Sequence, residues 1–289
     1  MNHYYPLVSY PFTMPFYYSS LTMITVYYLV PVENVNPFLS DTGLLPAQFD
    51  GQAMVSYNFQ LYTGQFSAGI NAPIESWLSS GAAVVQEAEL NIIAYPITLE
   101  ANVLPLTAMQ FIQDGDQTKI LGNHRVRVPC DSDRAIAAGI ALMGEPKFKT
   151  SFKVNLPSAN PVRQDSIPFI PQWVQSWGFQ IDDPDNPNEY IFNVLVDLSG
   201  MNAIPGNNSP ITEYGTYEDK IIACGWNIPP PFNTYFFSPA DVARVNLSYG
   251  TSSHPMLLES QALIGTNTPF AVQTFNSAPA AMQNRAFFT

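Results

Sequence analysis

The segment Asp131-Ser-Asp-Arg-Ala-Ile-Ala-Ala-Gly-Ile-Ala-Leu-Met-Gly-Glu-Pro-Lys-Phe-Lys-Thr-Ser-Phe-Lys-Val-Asn-Leu156 changes character halfway along. Ser132 or Asp133 can cap a helix, and Ala135 to Leu142 are good helix formers. Gly144 followed by Pro146 ends the helix and turns the chain. After the turn the pattern has a period of two. Lys147, Lys149, Ser151, Lys153 and Asn155 share one face of a strand, while Phe148, Thr150, Phe152, Val154 and Leu156 share the other. On patterning alone the lysines face water and the aromatic residues face the core.

Working upstream, Thr22 to Val30 is a strand of β-branched and aromatic residues, and Val32 to Leu39 gives at most two helical turns before Gly43 and Pro46. Ala53 to Tyr62 and Val84 to Tyr95 are the next strands. Glu87 and Glu89, two residues apart, lie on one face of the second, either solvated or lining an interior. Residues 64 to 81 read as a long connection with a short element around Ile74 to Leu78. Arg125 to Val128 is a short strand after a turn at Asp114-Gly115-Asp116, which lacks the later ligands of a calcium loop. Downstream, residues 157 to 171 show no pattern, and Trp173 to Gln180 is a strand or an edge. Tyr190 to Leu198, Asp219 to Trp226, Arg244 to Tyr249, Pro255 to Ile264 and Pro269 to Phe275 read as strands.

The sequence of 289 residues is 46% hydrophobic but only 12% charged, so much of its polar surface is uncharged. Twenty-six prolines argue against long helices and for strands joined by turns. The expectation is one α+β, β-rich domain over residues 1–289, its antiparallel sheet curled into a barrel-like shape, with residues 1–20 an irregular aromatic arm. An uncharged surface with aromatic arms favours a homo-oligomer. A net charge of −12 without a basic stripe excludes nucleic acid as a partner. No apolar stretch reaches the length of a membrane span and no signal sequence opens the chain, so a cytoplasmic protein without membrane contact is expected. Cys130 and Cys224 are read as free thiols. His3, His124 and His254 are scattered, and no zinc spacing, phosphate loop or Gly-x-Ser-x-Gly is present, so neither a metal nor a cofactor is expected.

A helix ending in Ala-Ala-Gly (Ala137 to Gly139), then a Gly-x-Pro-Lys turn (Gly144 to Lys147) entering a strand, resembles the signature of the acetoacetate decarboxylase family. The opening strand, its short helix, the strands at Ala53 to Tyr62 and Val84 to Pro96, and the closing segment Ser248 to Phe275 extend the resemblance over most of the chain. It implies that Lys147 forms an imine with a small oxo acid or ketone, and that a glutamate on the third strand, Glu89 with Glu87 close behind, faces it as proton shuttle or orienting group.

Two departures from the family bear on the chemistry. A lysine nucleophile must shed its proton, and a shift of roughly 4 units is available from burial or from a neighbouring cation, the device known from acetoacetate decarboxylase. Phe148 stands where the family has a second lysine, so burial must lower the Lys147 pKa, with Lys149 about 7 Å along the strand as a partial substitute. Ser19 to Val30 contains neither Arg nor Lys, so the family's arginine for a substrate carboxylate is missing. The expected activity is decarboxylation of a small β-keto acid through a lysine imine, with imine-dependent aldol or dehydratase chemistry as the alternative. A non-catalytic oligomeric binding or shell protein is the rival from another class.

Overall fold

Residues 5–8, 12–65, 83–164, 167–174, 176–229, 231–277 and 281–289 are described by a computed structural model. The short element expected around residues 74 to 78 lies outside them. In chain order the strands are β1 Phe16–Val30, β2 Leu44–Pro46, β3 Gln48–Phe49, β4 Gln52–Gln65, β5 Ala83–Pro96, β6 Gly122–Cys130, β7 Lys147–Lys149, β8 Phe152–Asn155, β9 Ser158–Gln164 and β10 Ile167–Val174. They continue with β11 Ser176–Asp182, β12 Tyr190–Asp197, β13 Ile204–Gly206, β14 Ile211–Tyr217, β15 Lys220–Asn227, β16 Phe232–Phe236, β17 Val245–Tyr249, β18 Pro269–Ser277, β19 Ala281–Gln283 and β20 Phe287–Phe288. Four helices are used below: α1 Val32–Leu39, α2 Ala108–Asp114, α3 Asp133–Met143 and α4 Pro255–Ile264. The protein is α+β and strand-rich, with few and short helices.

The main sheet has fourteen strands, on a path from β13 through β16, β18, β1, β19, β15, β14, β6, β5 and β4 to β3. The path is bent so that β1 pairs β4 over most of its length and β19 links β1 to β15. A second sheet, β17-β12-β11-β8, packs on one face of the first. Phe179 of β11 stacks on Phe59 of β4 with ring centroids 5.0 Å apart, and Phe192 of β12 meets Tyr57 at 4.6 Å. The opposite face of β1, β4 and β5 looks into an interior with one apolar cluster at each end, around Leu21, Tyr62 and Trp226 and around Tyr27, Phe49 and Phe111.

Several local expectations change. Residues from Phe16 onward belong to β1 rather than to an irregular arm: Phe16 and Tyr18 are buried while Tyr17 and Ser19 are exposed, the alternation of a strand. Pro255 to Ile264 is a helix: His254 caps it by accepting from the Met256 amide, Pro255 takes a first-turn position, and Met256, Leu257, Ser260, Leu263 and Ile264 bury one helical face. A capping box between Thr107 and Gln110 starts α2, a helix for which the sequence reading gives no element. β9 and β10 pair antiparallel with each other, where no pattern is expected from the sequence over most of their length. The sheet is not wholly antiparallel, since β6 pairs in parallel with both β7 and β14. The β6-α3-β7 unit is therefore a short parallel crossover, and it carries the motif that singled out the central stretch.

Candidate active site

Helix α3 begins as its residues dictate, with the Ser132 side chain accepting from the Ala135 amide, and ends at Gly144 in the left-handed conformation (φ +60°). A Cβ at Gly144 would also lie 2.0 Å from the Thr216 carbonyl oxygen of β14, so only glycine allows helix end and strand to approach. Lys147 then opens β7, paired with Val128 of β6, and its side chain runs back beneath α3. Gly139 makes room for it, because a Cβ there would lie 2.2 Å from the Glu145 carboxylate and 2.7 Å from Lys147 Cδ. The glycine of the Ala-Ala-Gly sequence is thus a packing requirement of the lysine.

The Lys147 side chain is only 6% exposed. Its ammonium lies 2.7 Å from Glu87 Oε2 of β5 and 2.8 Å from Glu145 Oε2 of the turn, and it donates to the Ala135 carbonyl at 3.4 Å. Glu87 also accepts from Gln60 Nε2 at 2.9 Å and from the Tyr62 hydroxyl at 3.1 Å, both on β4. Arg125 of β6, equally buried, reaches Glu145 at 2.5 Å and Glu213 of β14 at 3.5 Å, and its second nitrogen donates to the Met143 and Tyr214 carbonyls. Gln283 donates to Glu213 at 2.9 Å and accepts from the Tyr18 hydroxyl at 3.0 Å. Lys147, Glu87, Glu145, Glu213 and Gln283 line a small cavity of about 20 Å³, with Trp226 and Met143 on its wall.

Glu87, Glu89, Glu145 and Glu213 therefore share an interior with the cations Lys147 and Arg125. A buried cluster tolerates little net charge. Burial, reinforced by Glu213 and opposed by Arg125, pushes Glu89 up to about 8. Burial likewise raises Glu213 against the pull of Arg125. Burial alone would raise Glu145, but Lys147 and Arg125 outweigh it and hold its carboxyl below the usual range.

The same pairing corrects the expectation for Lys147. Burial does work against its charged form, yet Glu145 and Glu87 outweigh burial and hold the ammonium well above the ordinary lysine range. Glu87, not Glu89, is the strand glutamate in contact with it. Glu89 lines the cavity but accepts from Asn91 at 2.8 Å and from Asn58 at 3.4 Å. Lys149 lies outside the site, half exposed, 3.1 Å from Asp133. Phe148 points away, with its ring 4.6 Å from that of His254, and neither residue lines the cavity.

Glu145, Arg125 and Glu213 are members of the cluster that sequence reasoning missed. Glu145 had a signal: it stands two residues before Lys147 in the turn itself. Arg125 and Glu213 had none, because only the parallel pairing of β6 with β14 brings them together.

No family model matches the chain, and no curated protein sequence matches it. Solved structures do. An acetoacetate decarboxylase-like enzyme from Sphingomonas wittichii RW1 superposes with a TM-score of 0.58 at 14% identity, covering 95% of this chain and 92% of that one. Acetoacetate decarboxylase from Legionella pneumophila gives 0.59 at 9% identity over 100% and 92%. The enduracididine biosynthesis enzyme MppR, complexed with pyruvate, gives 0.58 at 11% identity over 97% and 92%. Superposing on them over nearly its full length, the chain has the fold of the acetoacetate decarboxylase-like enzymes.

Proposed function

We propose that the protein is a carbon–carbon lyase of the decarboxylase-like kind in which Lys147 forms an imine with a small carbonyl compound. The observation that carries this reading is the buried Lys147 ammonium held between Glu87 and Glu145 at the wall of a small cavity. The bent sheet, read as a barrel-like enclosure, supplies the dry surroundings.

Lys147 passes a proton to one of the two carboxylates, and the free amine attacks the substrate carbonyl carbon, sending the π electron pair to oxygen. That oxygen takes up the released proton, then a second one from the nitrogen through the carboxylate, and leaves as water. Ammonium plus carbonyl becomes iminium plus water with no change in charge. The two carboxylates that pair the ammonium therefore also pair the iminium. The iminium accepts the electrons of the breaking bond to the β carbon, and the resulting enamine is protonated by the nearest acid. Loss of carbon dioxide from a β-keto acid and retro-aldol cleavage share this sink.

A specific observation favours the aldol-type reading on an uncharged ketone or aldehyde. Lys147, the one cation among the described residues lining the cavity, is taken up by the imine, and Arg125, outside that lining, is committed to two carboxylates and two carbonyls, so none is left to receive a substrate carboxylate. The cavity instead offers the Trp226 indole N–H and the Gln60 amide oxygen, both buried and without a hydrogen-bond partner. One donor and one acceptor suit a neutral polar substrate.

Borohydride reduction with a panel of ketones, aldehydes and oxo acids, followed by peptide mapping, tests both levels. The expected result is an adduct on Lys147 that disappears in Lys147→Ala and persists in Lys149→Ala, stronger with neutral carbonyl compounds than with acetoacetate or pyruvate. Because the ammonium is held above its usual range, trapping should still accelerate with pH at pH 9, with no plateau near neutrality. An adduct on Lys149 or Lys153, or none with any compound, removes the imine reading and leaves a binding protein. Preference for the oxo acids restores decarboxylation.

A further inference from the structure

The interior face that presents Glu87 and Glu89 continues past them into a second cavity, lined by Asn58, Asn91 and Asn208. All three side chains belong to residues more than nine-tenths buried. Their amide orientations are determined by their neighbours. Asn58 and Asn91 each direct Nδ2 to the Glu89 carboxylate. Asn208 donates from Nδ2 to Gln273 Oε1 at 3.0 Å, and Gln273 is itself fixed by giving its own nitrogen to the Ile112 carbonyl and to Thr234. The three Oδ1 atoms are left without a hydrogen-bond partner, in a cavity that all three residues line.

A cluster of acceptors needs an occupant with something to give. Water can donate to these oxygens, two molecules being needed to reach all three, whereas a single cation pairs with all of them at once. Asp116 and Lys119 also line the cavity, but their charges offset each other and both are engaged. The Asp116 carboxylate accepts from Thr118, Ile120 and Leu121, and the Lys119 ammonium donates to the Ser209 carbonyl at 3.3 Å. Divalent ions draw on carboxylates, and none here is uncommitted. The open space admits roughly two water-sized particles.

We propose that this cavity binds a small monovalent cation, potassium or ammonium, through the side-chain oxygens of Asn58, Asn91 and Asn208. A cation at the oxygen ends of Asn58 and Asn91 and a carboxylate at their nitrogen ends stabilise each other across the amides, so occupancy favours ionised Glu89 and reaches the Lys147 cavity through it.

The test compares thermal unfolding of the full chain in potassium, ammonium and tetramethylammonium chloride at equal ionic strength, alongside crystals grown in rubidium chloride. At roughly tenfold saturation the smaller cations should raise Tm by about 2–4 °C over tetramethylammonium. An anomalous rubidium peak should lie among the three oxygens, and the rise should vanish in Asn208→Leu. The potassium and ammonium arms separate the two occupants. Equal Tm in all salts, a rise that survives Asn208→Leu, or no anomalous peak at the three oxygens overturns the proposal. If Asn208→Leu does not fold, the rubidium peak in the unaltered protein decides.

Discussion

Tyr57, Phe59, Leu90 and Ile92 leave one side of β4 and β5 for the core against the second sheet, whereas Asn58, Gln60, Glu87 and Glu89 leave the other side for an interior just as dry. On the first side, burial of each large side chain contributes about 1.5–3 kcal/mol, and the Phe59–Phe179 stack adds about 0.5–1.5 kcal/mol. Such contacts are non-directional, so any side chain of similar volume serves. On the second side each polar atom requires a placed partner, and a missing partner costs more than the contact contributes. The first face holds the sheets together, and the second gives up that tolerance to hold charges where chemistry can use them.

Three measurements can break or sharpen this contrast. The largest effect is expected for Arg125→Met, which leaves Glu145, Glu213 and two carbonyls facing a methyl group. Urea unfolding at pH 7 should show a loss of about 3–5 kcal/mol. Because Glu145 is held below its ordinary pKa of 4.5, its contribution is present above that value and disappears as pH falls through the folded-state value. The deficit of the variant should shrink accordingly in acid; a deficit constant with pH would mean that packing, not charge, holds this face together.

Glu89→Gln comes next. The folded protein raises Glu89 from 4.5 to about 8, so the stability it contributes is complete below pH 4.5 and is lost as pH rises through about 8. The unaltered protein should lose stability across that window with a slope approaching about 1.4 kcal/mol per pH unit, and Glu89→Gln should lack this component. Identical slopes in the two proteins would show that Glu89 is not the group that titrates. The smallest effect belongs to the other face, where Ile92→Val should cost about 0.5–1.5 kcal/mol at every pH. A pH-dependent cost there would contradict the division between the faces.

Much of the site's scaffold was legible in the sequence. The Ser132 cap, the Gly144 stop and the entry of Lys147 into a strand depend on neighbours within a few residues, and local chemistry decides them. Glu87 and Glu89 were legible as sharing a face for the same reason, since strand periodicity is a local property. Patterning could not tell whether that face met water or an interior, because a period of two reads polar residues as outward and here both faces of β4 and β5 are buried. Nor could it see α4, whose helical spacing of apolar residues also passes for an apolar strand when its cap is overlooked. The charge state of Lys147 was decided by tertiary structure alone. From the sequence and its family resemblance the lysine was expected to be buried, and burial alone argues for a lowered pKa. Folding placed Glu87 from β5 and Glu145 from the turn within 3 Å of it, and Coulomb attraction at that distance in a dry interior outweighs desolvation. Sequence determines which groups are present and which way a local element turns them; their electrostatic energies depend on distances between strands remote in the chain, and those exist only in the folded protein.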